Sequence, residues 1–198
     1  AASDSGSYAN DVESMAGMSS TSGINGRARV TAMDATSFTC TIDEADSSAR
    51  SFSALVLGGN LQVAIGSSLT ATDTNPVEVD PGFKSVLTTL WSHCNSESAS
   101  DTGQAGAEVS LGAFTGQFGA KQMCCGFNEP DNLNPPAVAT GIRVASAYVN
   151  LDAAGAVEGA LTITEPAARP ATAWTFAMSD ADPSQNLLLW ASFGAASG

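Results

Sequence analysis

Turn-forming residues interrupt this chain so often that no long helix or strand has room to form. Asp80-Pro81-Gly82, Glu129-Pro130-Asp131-Asn132 and Asn134-Pro135-Pro136 are the clearest breaks. Between such breaks the apolar residues alternate or run in short blocks, and helical spacing is hard to find. Ser37-Phe38-Thr39-Cys40-Thr41-Ile42 alternates cleanly, which predicts a strand with Phe38, Cys40 and Ile42 toward a core and the polar residues on the other face. Further strands are predicted over 51–57, 61–65, 77–79, 84–91, 108–114, 121–127, 141–151, 157–164, 173–178 and 186–193. Many short strands joined by Gly, Pro and Asn turns argue for an all-β, antiparallel β-sandwich with a jelly-roll-like character. The Ser/Gly-rich opening, 1–26, has weak pattern and reads as an arm or a set of loops.

Charge and length narrow the function classes. The 198 residues carry 20 Asp and Glu against 7 Lys and Arg, a net charge of −13. With so few bases the chain cannot neutralise a phosphate backbone, so nucleic acid is not expected as a partner. An anionic membrane face is disfavoured for the same reason. No apolar run approaches the ~20 residues that cross a bilayer. A hydrophobic fraction of 43% is ordinary for a globular protein and too high for a disordered one. The opening Ala1-Ala2-Ser3-Asp4, with neither an initiator methionine nor a signal peptide, reads as a processed terminus or the start of a fragment. Four cysteines are too few for a disulfide scaffold.

The chain repeats itself. Residues 36–46 match 172–182, so that Phe38, Cys40 and Ile42 fall on Trp174, Phe176 and Met178, and Ala45-Asp46 on Ala181-Asp182. The next strand ends in Leu57-Gly58 and again in Phe193-Gly194. Upstream, 23–30 resembles 156–163, with a small insertion near 166–170. The repeat predicts two units: a partial module with an N-terminal arm over 1–59, and a complete β-sandwich module over 60–198. Half a module leaves strand edges and a core face bare. Residues 1–59 are therefore expected to need contacts outside themselves.

The run from Arg29 to Gly59, with its Asp-containing turn, its Ser37-Phe38-Thr39 strand, its Ala45-Asp46 turn and its Leu57-Gly58 ending, resembles a module of structural proteins from tailed bacteriophages and prophages. Similar features follow in Gln62 to Gly66, Val79 to Leu87 and Arg143 to Leu151. Ser37 and Ala173 stand where the module has Gly before the aromatic residue. The resemblance implies a virion surface component, a capsid decoration or tail-fibre protein, assembled in the host cytoplasm. Its partners would be copies of itself and other virion proteins, and a host-surface glycan for a fibre. It brings no catalytic residues.

Reactive residues are few. His93-Cys94 is the one nucleophile–base pair, but neighbours on a strand point to opposite faces and no second His exists. A zinc site from His93, Cys94, Cys124 and Cys125 lacks the usual spacer. A vicinal Cys124–Cys125 bridge would be strained, and one from Cys94 to either needs neighbouring strands. Cys40 takes an inward position and reads as a buried thiol. Asp43, Glu44 and Asp46, like Asp180 and Asp182, resemble calcium loops only in composition, since Asp in tight turns usually bonds its own backbone. Trp174 and Trp190 read as core, which leaves Trp91 as the aromatic to test for ligand contact. The expectation is a non-enzymatic structural protein without cofactor, metal or catalytic site. A carbohydrate- or receptor-binding module on the same fold is the alternative.

Overall fold

The computed structural model describes residues 6–7, 15–18, 24–34, 37–45, 61–93, 104–105, 107–115, 121–130, 138–164, 172–183 and 185–195. All regular structure among them is strand. In chain order these are β1 (Gly6–Ser7), β2 (Met15–Met18), β3 (Ile24–Met33), β4 (Phe38–Glu44), β5 (Leu61–Leu69), β6 (Val77–Val79), β7 (Ser85–Ser92), β8 (Gln104–Ala105), β9 (Ala107–Thr115), β10 (Lys121–Glu129), β11 (Ala139–Arg143), β12 (Tyr148–Leu151), β13 (Val157–Thr164), β14 (Trp174–Asp180) and β15 (Leu187–Ala195). Every pairing is antiparallel.

Two sheets form a sandwich. The larger runs β11-β10-β9-β7-β15-β5 and the smaller β12-β13-β14-β6. Alternation sends Leu90, Phe114, Leu188 and Trp190 of the large sheet against Leu161, Ile163, Trp174, Phe176 and Met178 of the small one. Trp174 stands at the centre, edge-on to Phe114 at 5.1 Å and to Trp190 at 6.1 Å. The layers come close because the large sheet shows glycine to the small one. A Cβ at Gly112 would strike the Ala147 carbonyl, and one at Gly126 would lie 2.8 Å from Val149 Cγ1. Side chains then stitch the layers together. Gln122 donates to the Ile163 carbonyl (3.3 Å) and accepts from the Ile163 amide (2.9 Å), much as a strand would. Ser110 Oγ accepts from Val149 N at 3.1 Å, and Asn128 Nδ2 donates to the Leu151 carbonyl at 2.6 Å.

A separate three-stranded sheet, β2-β3-β4, holds the N-terminal region. Its register follows that of β12-β13-β14. Ala28 pairs with Ile42 and Val30 with Cys40, as Leu161 pairs with Met178 and Ile163 with Phe176. Met15 pairs with Ala28 and Gly17 with Gly26, as Tyr148 pairs with Leu161 and Asn150 with Gly159. Shifts fall between Arg27 and Ala28 and between Ala160 and Leu161, and likewise between Gly17 and Met18 and between Asn150 and Leu151, but β3 and β4 have a further shift between Val30 and Ala32 that β13 and β14 do not show. Burial follows only in part, since Ala28 is buried as Leu161 is. Ile42 is 60% exposed where Met178 is 2% exposed, and Phe38 and Cys40 are only half-buried. Among the described residues, the β1–β8 pair is the one strand pairing that joins this N-terminal region to the rest.

Several expectations change. The opening 1–26 is not patternless loop throughout, since it contains β1, β2 and the start of β3. The single strand over 141–151 is two, β11 in the large sheet and β12 in the small, because the chain crosses between layers at 144–147. Cys40 is half-buried instead of sealed, and Ile42 is exposed, at the end of the sheet face away from the buried Ala28. The strand expected over 51–57 and the Asp46 turn lie outside the described residues.

Candidate functional site

Alternation gives each sheet two faces, and only the inner faces have a reason to be apolar in an isolated sandwich. The outer face of the small sheet obeys this rule with Glu78, Thr162, Thr164 and Ser179. The outer face of the large sheet does not. Ile142, Cys125, Leu111, Trp91 and Leu189 form one cross-strand row, each paired with the next. Met123, Ala113, Thr89, Ala191 and Ile65 form the row beside it, and Thr115, Leu87, Phe193 and Val63 another. Exposure is high at Ile65 (77%), Met123 (61%) and Ile142 (80%). The charged members of the face among the described residues are Lys121 and Glu129, at opposite ends of β10. Single exposed apolar residues are ordinary, but a contiguous patch is the mark of an interaction surface.

The residues singled out from sequence scatter around this face. Trp91 lies in it, 37% exposed, between Leu111 and Leu189. Trp174 and Trp190 are in the core. His93 is buried just past the end of β7, while Cys94 lies outside the described residues. Cys124 faces inward and Cys125 outward, both as free thiols, as is Cys40. Burial, then the adjacent Cys125, push the Cys124 thiol up to about 11, against the lowering influence of Arg143. Among the described residues no three His, Cys, Asp or Glu side chains are grouped as metal ligands.

The acidic turns are occupied locally. Asp43 pairs with Arg29 at 3.2 Å and Glu44 with Arg27 at 3.3 Å. Asp80 Oδ1 accepts from Gly82 N at 2.8 Å, closing a turn in which Gly82 has φ +83°. Asp152 Oδ1 accepts from Ala154 N and Ala156 N. Asp180 is exposed. Asp182 is fully buried and accepts from Tyr148 Oη (2.7 Å) and Asn186 Nδ2 (2.8 Å). Asn186 is tied in turn to Thr70, whose Oγ1 accepts from Asn186 N at 2.8 Å.

Sequence reasoning missed Glu108. It sits opposite Asn128 on the inward row of the large sheet. Burial, then repulsion by Glu158, raise its carboxyl to about 7, with Asp182 adding to the rise and the Asn128 hydrogen bond opposing it. Glu158 and Asp182 are 50 and more positions away in the chain, so no local pattern announces the cluster. It is a crowded, acidic end of the core. Comparison with family models, with curated proteins and with solved structures finds no match.

Proposed function

We propose that this chain is a non-enzymatic structural protein of a tailed-phage particle that works by self-association on the particle surface. The observation that carries the reading is the apolar outer face of the large sheet, whose charges among the described residues stand only at the two ends of β10. A chain of net charge −13 that leaves Ile65, Met123 and Ile142 in water has a solubility cost that only an interface offsets. The particle itself enters from the resemblance of Arg29–Gly59 to phage structural modules. The neighbours of Trp91 on its row, Leu111 and Leu189, offer no hydrogen-bonding groups for sugar hydroxyls, so the face favours protein over glycan.

Light scattering on the full chain across a concentration series tests the association. Oligomers that grow with concentration are expected; a monomer throughout overturns the reading. Immunogold labelling of lysates with antibody against the chain tests the setting. Labelled particles are expected, and label confined to soluble material removes the phage assignment.

A further inference from the structure

The apolar outer face of the large sheet carries one charge at each end of β10 and, among its described residues, none between them. We propose that this face pairs with the same face of a second copy about a two-fold axis that crosses the strands over Cys125, so that Lys121 of each copy meets the partner's Glu129. The inference rests on the self-association reading and adds the geometry of the contact to it.

Spacing fixes the placement of the axis. Along β10 the outward residues are Lys121, Met123, Cys125, Phe127 and Glu129, with Cys125 midway between the two charges. The rise of a strand sets those charges ~27 Å apart. Turning a second sheet over about an axis perpendicular to β10 at Cys125 lays the Lys121 end of one copy on the Glu129 end of the other, twice by symmetry. Packed sheets lie ~10 Å apart, within the combined reach of a lysine and a glutamate side chain. A carboxylate has about four acceptor positions, so Glu129 can take this ammonium besides what it holds within its own chain. An axis along β10 would instead set Lys121 on Lys121 and Glu129 on Glu129, and opposed like charges cost affinity.

The packing agrees with that axis. The row through Cys125 lies along it and carries Leu111 and Trp91, so the large anchors fall in the middle of the contact, where hot spots gather. Beside the axis, the row of Met123 and Ala113 meets the row of Phe127 and Val109 from the other copy, apolar on apolar. The ion pairs stand at the rim, where they set orientation more than they add affinity. Six strands, the longest of nine residues, make a face about 29 Å by 30 Å. Allowing for overhang, each copy buries about 600–800 Å², the size of a standard specific interface. Because the patch is complementary to itself, the contact closes at a dimer, and a larger array on a particle must use a second surface.

Exchanging the charges in the full chain tests the geometry. Light scattering on a concentration series at low ionic strength, where surface ion pairs are least screened, gives the dimer affinity, and circular dichroism checks that each variant keeps its strand signal. Lys121→Glu and Glu129→Lys each turn both ion pairs into like-charge pairs and should weaken the dimer about 10-fold. The two move the net charge in opposite directions, so a loss in both does not come from overall charge. An equimolar mixture of the two should pair about as tightly as wild type, and so should the double variant, because opposite charges again meet at both ends. Leu111→Lys, at an exposed position on the axis, sets two ammonium groups against each other and should abolish the dimer. If wild type pairs but the single exchanges have no effect, or the double variant stays as weak as they are, this geometry is wrong while the self-association reading stands. If wild type pairs and Leu111→Lys pairs equally well, the contact lies on another surface and the proposal fails. If wild type is monomeric, both fail.

Discussion

Strands β4 and β14 share a sequence pattern and, over 40–42 and 176–178, a pairing register, yet β14 is a core strand and β4 is half open to water. Phe176 is fully buried against Trp174 and Met178, whereas Cys40 is half-buried and Ile42 exposed. The difference lies in the layer opposite and not in the strand. The β14 hairpin faces a large sheet whose glycines admit it; the β4 hairpin faces no described layer. A two-faced strand is a statement about what should cover it, and the sandwich supplies the cover for only one of the two.

The largest effect should come from the centre of the covered layer. Trp174→Ala should cost ~3–5 kcal/mol in urea unfolding, while Phe38→Ala at the matching position should cost only about 1–2 kcal/mol. Equal costs would mean that the N-terminal sheet is sealed in solution, and the contrast would break. Gly112→Ala should follow, at about 1–3 kcal/mol, since the new methyl collides with the Ala147 carbonyl and the layers must part.

Glu108 sharpens the contrast through pH. Its folded carboxyl is raised to about 7 from an ordinary 4.5. Between those values the folded state holds a proton that the unfolded state has lost, so stability falls as pH rises through that window. Glu108→Gln should therefore stabilise the protein above pH 7 by about 1 kcal/mol, discounted for the group's partial exposure to water, and should do nothing below pH 4. Thermal melts at pH 4 and pH 8 read the difference; a pH-independent effect would assign it to packing. The smallest change is expected on the open sheet. Arg29→Ala removes a surface ion pair with Asp43 and should cost no more than about 0.5 kcal/mol, less in high salt.

How much of this was legible depended on whether periodicity and burial coincided. Trp174 to Met178 alternates and has one covered face, so sequence alone orients it. Leu187 to Ala191 is apolar on both sides, because one face meets the core and the other belongs to the outer patch, and alternation gives it no phase. The crossing at 144–147 is invisible for a related reason: a strand that changes sheets keeps its composition. Met15–Met18 carries too short a signal in its Ser/Gly surroundings, and its pairing with β3 becomes legible only beside β12 and β13. The apolar face joins residues from six strands, and the Glu108 cluster joins residues from distant turns, so neither has a local signature.

The adjacent thiols Cys124 and Cys125 put the two sides of one sheet within reach of a single reagent. Cys125 stands in the exposed row between Leu111 and Ile142, while Cys124 is sealed beside Gly112 and shifted further from its reactive form. An oxidant arriving from solution therefore meets Cys125 first. Oxidation to a sulfinic or sulfonic acid would plant a charge in the middle of an apolar face and leave the sandwich beneath it intact. The same strand that holds the fold thus makes the outer face answerable to the redox state of its surroundings, and any contact made through that face would be disturbed before folding is touched.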